Sequence, residues 1–264
     1  MSEPTAVDPP KQEDGYVPPA RGRFIDWYQG GVLSDRYLET ILADWKSTGL
    51  LLLQAPLLAG MAVMVWGNVS RANAALYFVM VLSVLWLGCM NACREIVKER
   101  ALFLREKMVN LDVGAYLYSK VRVLSLIGIV QVVLYSLIVY RWVDVRVAIG
   151  WLIIALLFTV LCGTCLGLLI SALVKRSDYA VGMVPLVILP QILFSEFAIS
   201  KDQFKGVSET IYKLMPSRWG YESLAEFAKT SPEFVSAFGY LLPLLLFSCL
   251  FVGIAYPVLK WQKY

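Results

Sequence analysis

Residues 94–120 read REIVKERALFLREKMVNLDVGAYLYSK, and this stretch decides how the chain is organised. Arg94, Glu95, Lys98, Glu99, Arg100, Arg105, Glu106 and Lys107 crowd into roughly four helical turns, between two apolar runs each long enough to cross a bilayer. Val97, Ala101, Leu104, Met108 and Leu111 recur at four- and three-residue steps, which predicts one apolar helix face opposite a charged one. A helix of this kind needs an apolar surface on one side and water or a charged partner on the other. Placed in a loop between two spans, it predicts a docking element.

The flanking composition supports that placement. Of 264 residues, 58% are hydrophobic and 17% charged, against about half and a quarter in soluble domains, so the chain is expected to be an all-α integral membrane protein. Eight Trp and 14 Tyr suit two interfacial belts. A net charge of +4 is accounted for by loop asymmetry and leaves no basic, aromatic surface for nucleic acid. Histidine is absent, which removes imidazole bases and Ser/His triads. The cysteine pairs Cys89/Cys93 and Cys162/Cys165 have helical spacing but no other soft ligand nearby, so they read as core rather than metal ligands.

Outward from the charged stretch, six spans are expected at about residues 47–66, 73–93, 120–140, 147–174, 179–199 and 234–259. Residues 94–119 form the loop between the second and third. Residues 200–232 form a polar segment before the last span. Residues 1–23, rich in proline and charge, predict a disordered tail. Residues 24–46 predict an amphipathic helix lying in the membrane interface, capped by Ser34 with Asp35 in its first turn, its apolar face Tyr37, Leu38, Ile41, Leu42 and Trp45. A solvated linker helix is the competing reading. Lys and Arg gather in the short loops on one side, which predicts that both termini and the charged stretch are cytoplasmic.

Within the spans, Gly163, Gly167 and Ser171 form a row of small residues that admits a close helix neighbour, either within the chain or in a second copy. Pro185 and Pro190 predict a kinked fifth span, which either is structural or shapes a cavity. Gln54, Asn91, Gln131 and Gln191 are polar groups at membrane depth that each need a partner helix or a water-filled space, and Glu196 is an acidic group placed at the external end of the fifth span. No GxxxxGK[ST] or GxGxxG motif occurs, and no two carboxylates share a convincing pocket. The chain is therefore not expected to be an enzyme by itself, and work would require energy from a partner.

Arg94-Glu95, Val97-Lys98-Glu99-Arg100, Arg105-Glu106 and Tyr116…Ser119-Lys120 together resemble the pattern of type-2 ABC-transporter permeases, especially the G subfamily. Pro216, Arg218, Trp219 and Glu222 lie in a second patch similar to the segment those permeases carry before their last span. The resemblance implies a dimer, homomeric or heteromeric, of six-span units docked on two ABC ATPase subunits. Those subunits bind ATP and Mg; no cofactor is implied on this chain. It implies that residues 24–46 are the connecting helix, that Arg94 to Tyr116 couple to the ATPase, and that residues after the fifth span form external re-entrant helices. It places Asn91, Pro185, Pro190, Gln191 and Glu196 nearest the translocation path. An amphipathic, lipid-linked or polysaccharide-type substrate would be exported across a bacterial inner membrane. Only a short tail precedes the connecting helix, so the ATPase is expected on a separate chain. FSEF, residues 194–197, stands where many relatives have a Gly-Phe pair, which blurs any transfer of substrate specificity. The alternative is a membrane scaffold or passive channel whose charged helix binds a different partner.

Overall fold

Two helix-stop signals and two helix-start signals around the charged stretch set the architecture. The structure, a computed structural model, describes residues 26–69, 74–199, 205–229 and 231–262; the amino-terminal tail expected over residues 1–23 lies outside them. Among the described residues the chain is helical and contains no strand. Helix α1 spans Trp27–Ala43, α2 Trp45–Trp66 and α3 Ala74–Ala92. A 3₁₀ turn, Val97–Glu99, leads to α4, Arg100–Met108. Then come α5, Val113–Trp142, α6, Ile149–Leu173, and α7, Ser177–Leu193. The remainder is α8, Val207–Leu214, α9, Pro216–Phe227, α10, Phe234–Gly239, and α11, Leu241–Trp261.

Five stretches are long and apolar enough to cross a membrane: α2, α3 with its continuation to Met108, α5, α6, and α10 with α11. Helix α7 is apolar but has 17 residues, about 25 Å, short of the ~30 Å hydrocarbon core. The helix expected to reach Ile199 stops at Leu193, where the Ser195 hydroxyl donates to the Ile192 carbonyl at 2.7 Å, one of the orphan acceptors of a helix end.

Helix α6 is the centre of the bundle and packs chiefly on α3. The reason is small residues: a methyl group on Gly88 would meet the Val160 carbonyl, one on Gly163 the Leu85 carbonyl, and one on Gly167 the Cys89 oxygen at 2.5 Å. Cys89, Cys93, Cys162 and Cys165 are buried as free thiols in this region, and Cys249 is free and exposed. At the end away from the charges, α9 folds back against α3, α6 and α11. A Cβ on Gly220 would strike Val81 and Thr159, and Trp151 stacks on Phe227 at 5.4 Å.

The charged stretch is not one continuous helix. The Ser171 hydroxyl accepts from the amides of both Ile96 and Val97 at 3.0 Å, the chain tightens into the 3₁₀ turn, and the phase of the apolar stripe is reset. Val97 stays buried, but Ala101 and Met108 are exposed and Leu104 is half-buried; Phe103 is the buried anchor of α4. Asn110, at φ 80°, then ends α4, with the Leu111 amide returning to the Glu106 carbonyl at 3.1 Å, the pattern of a left-handed C-terminal cap. Asp112 starts α5 by accepting from the amides of Gly114 and Ala115, so the third span begins seven residues before the expected Lys120.

Helix α1 also starts earlier than expected. Asp26, rather than Ser34, caps it, accepting from the Gln29 amide at 3.1 Å. Ser34 is mid-helix, its hydroxyl donating to the Gly30 carbonyl. The buried face is Gly30, Leu33, Ser34 and Tyr37, whereas Leu42 and Trp45 are exposed.

Candidate coupling site

The charged stretch and α1 meet at one end of the bundle. The two helix starts are cross-stitched: the Asp26 amide donates to Asp112 Oδ2 at 3.0 Å and the Asp112 amide to Gln29 Oε1 at 2.8 Å. Gly30 makes room for Tyr118, whose ring lies 3.0 Å from where a Cβ would sit, and Trp27 packs edge-on against Tyr118 at 5.0 Å.

Several residues singled out as docking charges turn inward. Glu95 is buried and accepts a short hydrogen bond from the Tyr37 hydroxyl, and its other oxygen takes Lys98 Nζ at 2.7 Å. Burial, then the Glu95 charge, raises the Tyr37 phenol well above its ordinary pKa, so it remains a donor. Glu99 pairs at 2.6 Å with Lys120, which is 2% exposed and sits 3.4 Å from the centre of the Tyr37 ring. Tyr116 packs beside Phe103 at 4.8 Å. Arg36 forks onto both oxygens of Glu106, at 2.8 and 3.1 Å; the Glu106 hydrogen bond raises the Arg36 pKa. Being half-open to solvent, that pair adds about 0–1 kcal/mol.

Two cations bind helix ends. Lys107 Nζ donates to the carbonyls of Leu259, Lys260 and Gln262 at 3.0, 2.7 and 3.1 Å, and Arg100 donates to the Val174 carbonyl at 2.9 Å. These are the last carbonyls of α11 and α6, where orphan acceptors and the helix dipole both favour a positive charge. Gln262 in turn donates to the Ala172 carbonyl. Helix α4 is thereby tied to α1, α5, α6 and α11 together.

What remains outward is a small patch. Arg94 and Arg105 are exposed and make no ion pair among the described residues. Met108 and Val109, 68% and 79% exposed, stand beside Arg105 at the end of α4. The sequence signal for the inward contacts is weak because nothing local marks Tyr37, Lys120 or Ser171 as partners of residues 58, 21 and 75 positions away.

The other singled-out residues lie elsewhere. Asn91 donates to Gln131 at 2.5 Å, and Gln131 donates to the Leu51 carbonyl at 2.7 Å, a buried polar link among α3, α5 and α2. Gln191 accepts from the Ser217 amide at 3.0 Å, serving a free N–H at the start of α9. Pro185 is exposed and Pro190 half-buried on α7. Glu196 accepts from the Tyr212 hydroxyl at 2.8 Å, and burial followed by that hydrogen bond raises the Tyr212 pKa. Pro216 opens α9. Arg218 pairs with Glu222 at 3.0 Å and lies over the rings of Tyr212 and Trp219 at 4.3 and 4.6 Å. Gly163 and Gly167 face α3, and Ser171 holds the 3₁₀ turn.

The charged helix α4 is braced across one end of an apolar helical bundle, and comparison with known sequences gives the class of protein. The model of the ABC-2 type transporter family matches residues 28–228, and the chain belongs to that family. It is a multi-pass membrane protein, the membrane permease component of an ABC transporter rather than a catalytic domain. It is similar to the ABC transporter ATP-binding/permease protein Rv1747 of Mycobacterium tuberculosis (strain ATCC 25618 / H37Rv), 26% identical over 148 residues. That alignment covers 53% of this chain and 17% of the relative.

Proposed function

We propose that this chain is the permease subunit of an ATP-driven exporter, working as a homodimer or heterodimer of six-span units on two separate ABC ATPase subunits that bind ATP and Mg. The observation that carries the reading is the outward patch of Arg94, Arg105, Met108 and Val109 on an element whose remaining charges are used for bracing. Cations beside exposed apolar side chains fit a protein partner better than bulk water. Rv1747, named as an ATP-binding/permease protein, carries both functions in one chain, which supports an ATPase as the occupant.

In this reading α7 is the short fifth span, α8 and α9 are external re-entrant helices, and both termini are cytoplasmic, in a bacterial plasma membrane. The clustering of Lys and Arg at the α4 end supports that orientation. ATP-driven closure of the partners displaces α4, and the ties of Lys107 to α11 and Arg100 to α6 pass the movement into the spans, shifting a two-state dimer. The substrate class is amphipathic, lipid-linked or polysaccharide-type.

The test is the double variant Arg105→Glu with Met108→Asp, both at exposed positions. It should fold and melt like the unmodified chain, lose co-purification of the ATPase, and lose transport. Retention of both would remove the docking surface from this patch.

A further inference from the structure

A cleft of about 380 Å³ opens at the end of the bundle opposite α4, between the first turn of α3, the α5–α6 connection and α9. That volume falls within the roughly 300–1,000 Å³ of small-ligand sites. The short side chains of Ala74 and Ala225 leave the space, and Tyr77, Arg146, Tyr221 and Lys229 line it with polar groups.

All four of those side chains can donate hydrogen bonds. Tyr77, 4% exposed, accepts from the Arg146 amide at 3.3 Å, so a lone pair is used while its proton has no acceptor among the described residues. Tyr221 is 9% exposed and its ring meets Phe78 and Phe197 edge-on; its hydroxyl also donates to nothing among the described residues. A largely buried donor without an acceptor is costly, and a ligand oxygen relieves the cost. Val143 and Val147 are buried on either side of Arg146 and fix the connection that carries it. The Arg146 guanidinium is exposed and makes no ion pair among the described residues, and Asp144 does not line the cleft. Lys229 is neutralised by Glu226 at 2.5 Å. The cleft therefore presents one uncompensated positive charge and two uncommitted phenol protons.

We propose that this cleft binds the phosphodiester of one glycerophospholipid. A phosphodiester carries a single negative charge, which the single free guanidinium balances, and its oxygens accept from Arg146 and from the Tyr77 and Tyr221 hydroxyls. Ala74 and Tyr77 stand in the first turn of a helix long and apolar enough to span, which sets the cleft at the level of lipid headgroups rather than in bulk water. Recognition rests on the phosphate, so the alcohol esterified to it matters little. The site stands whether or not α4 docks an ATPase.

The experiment is native mass spectrometry of the full chain, delipidated and titrated with dioleoylphosphatidylglycerol, dioleoylphosphatidylethanolamine or dioleoylglycerol. One molecule of either phospholipid per chain should be retained, and dioleoylglycerol, which lacks the phosphate, should not. Arg146→Gln should weaken phospholipid retention roughly tenfold, the scale of one charge-assisted hydrogen bond. Tyr221→Phe keeps the ring contacts and so should fold, yet should weaken retention several-fold. Arg141→Gln, at the same end but beside Trp142 and outside the cleft, should change nothing. Equal retention of all three lipids, or an equal loss in Arg146→Gln and Arg141→Gln, would overturn the site. Water-soluble glycerophosphoglycerol added in competition should not displace the lipid at equal concentration; displacement would overturn the assignment to the leaflet.

Discussion

Lys120 of α5 places its ammonium 2.6 Å from the Glu99 carboxylate, in a position with 2% of its side chain exposed. The charge is drawn into the bundle end by its partner and by the Tyr37 ring beneath it. A buried pair of this kind gives little net stability, but removing one member strands the other.

Lys120→Met is therefore expected to lower stability by about 2–3 kcal/mol, below the ~3–5 kcal/mol of a fully buried pair because Glu99 keeps some contact with water. Lys120→Met combined with Glu99→Leu should recover most of the loss. Thermal melts of the four species in detergent give the coupling; a double variant as unstable as the sum of the singles would contradict the pairing.

The α3–α6 seam should tolerate no added volume. Gly163→Leu forces a side chain into the Leu85 carbonyl and is expected to cost about 1–3 kcal/mol or more, read as a lower melting temperature and reduced yield. Gly182→Ala, where nothing lies within 4 Å, should be neutral or raise stability by roughly 0.5–1 kcal/mol.

Asn91→Leu leaves the Gln131 oxygen without its donor and should cost about 1–3 kcal/mol. The double change Asn91→Leu with Gln131→Leu should be better tolerated than Asn91→Leu, since no buried side-chain amide is left without a partner and only the Leu51 carbonyl loses a donor. Chemical or thermal unfolding of the two variants separates the outcomes.

Lys107→Met removes three hydrogen bonds to the end of α11 without touching the exposed patch. On the proposed function, the ATPase should still co-purify and hydrolyse ATP, while transport per ATP falls several-fold. Loss of partner binding in this variant would place the effect on docking rather than on transmission.

Much of this was legible in the sequence because apolar length and charge placement are local properties. Spans near residues 47–66, 73–93 and 147–174 correspond to α2, α3 and α6 within two residues at each end. The misreadings arose where distant groups override local pattern. Ser171 takes the Ile96 and Val97 amides and resets the stripe of α4, so Phe103, not Met108, is buried. The start signal of Asp112 after the Asn110 turn is present in VNLD, residues 109–112, but the longer charge run before it masks so short a local signal. Glu95 and Glu99 looked like surface groups, and only the folded arrangement brings Tyr37 and Lys120 to them.

The central claim, that the end of α4 is the face that meets an ATPase, is tested most directly by site-specific cross-linking in native membranes. In a Cys249→Ser background, Met108→Cys should cross-link to a subunit carrying the phosphate-binding GxxxxGK[ST] motif, and Trp142→Cys at the opposite end should not. A Met108→Cys that yields no such adduct, while Trp142→Cys does, would contradict the account.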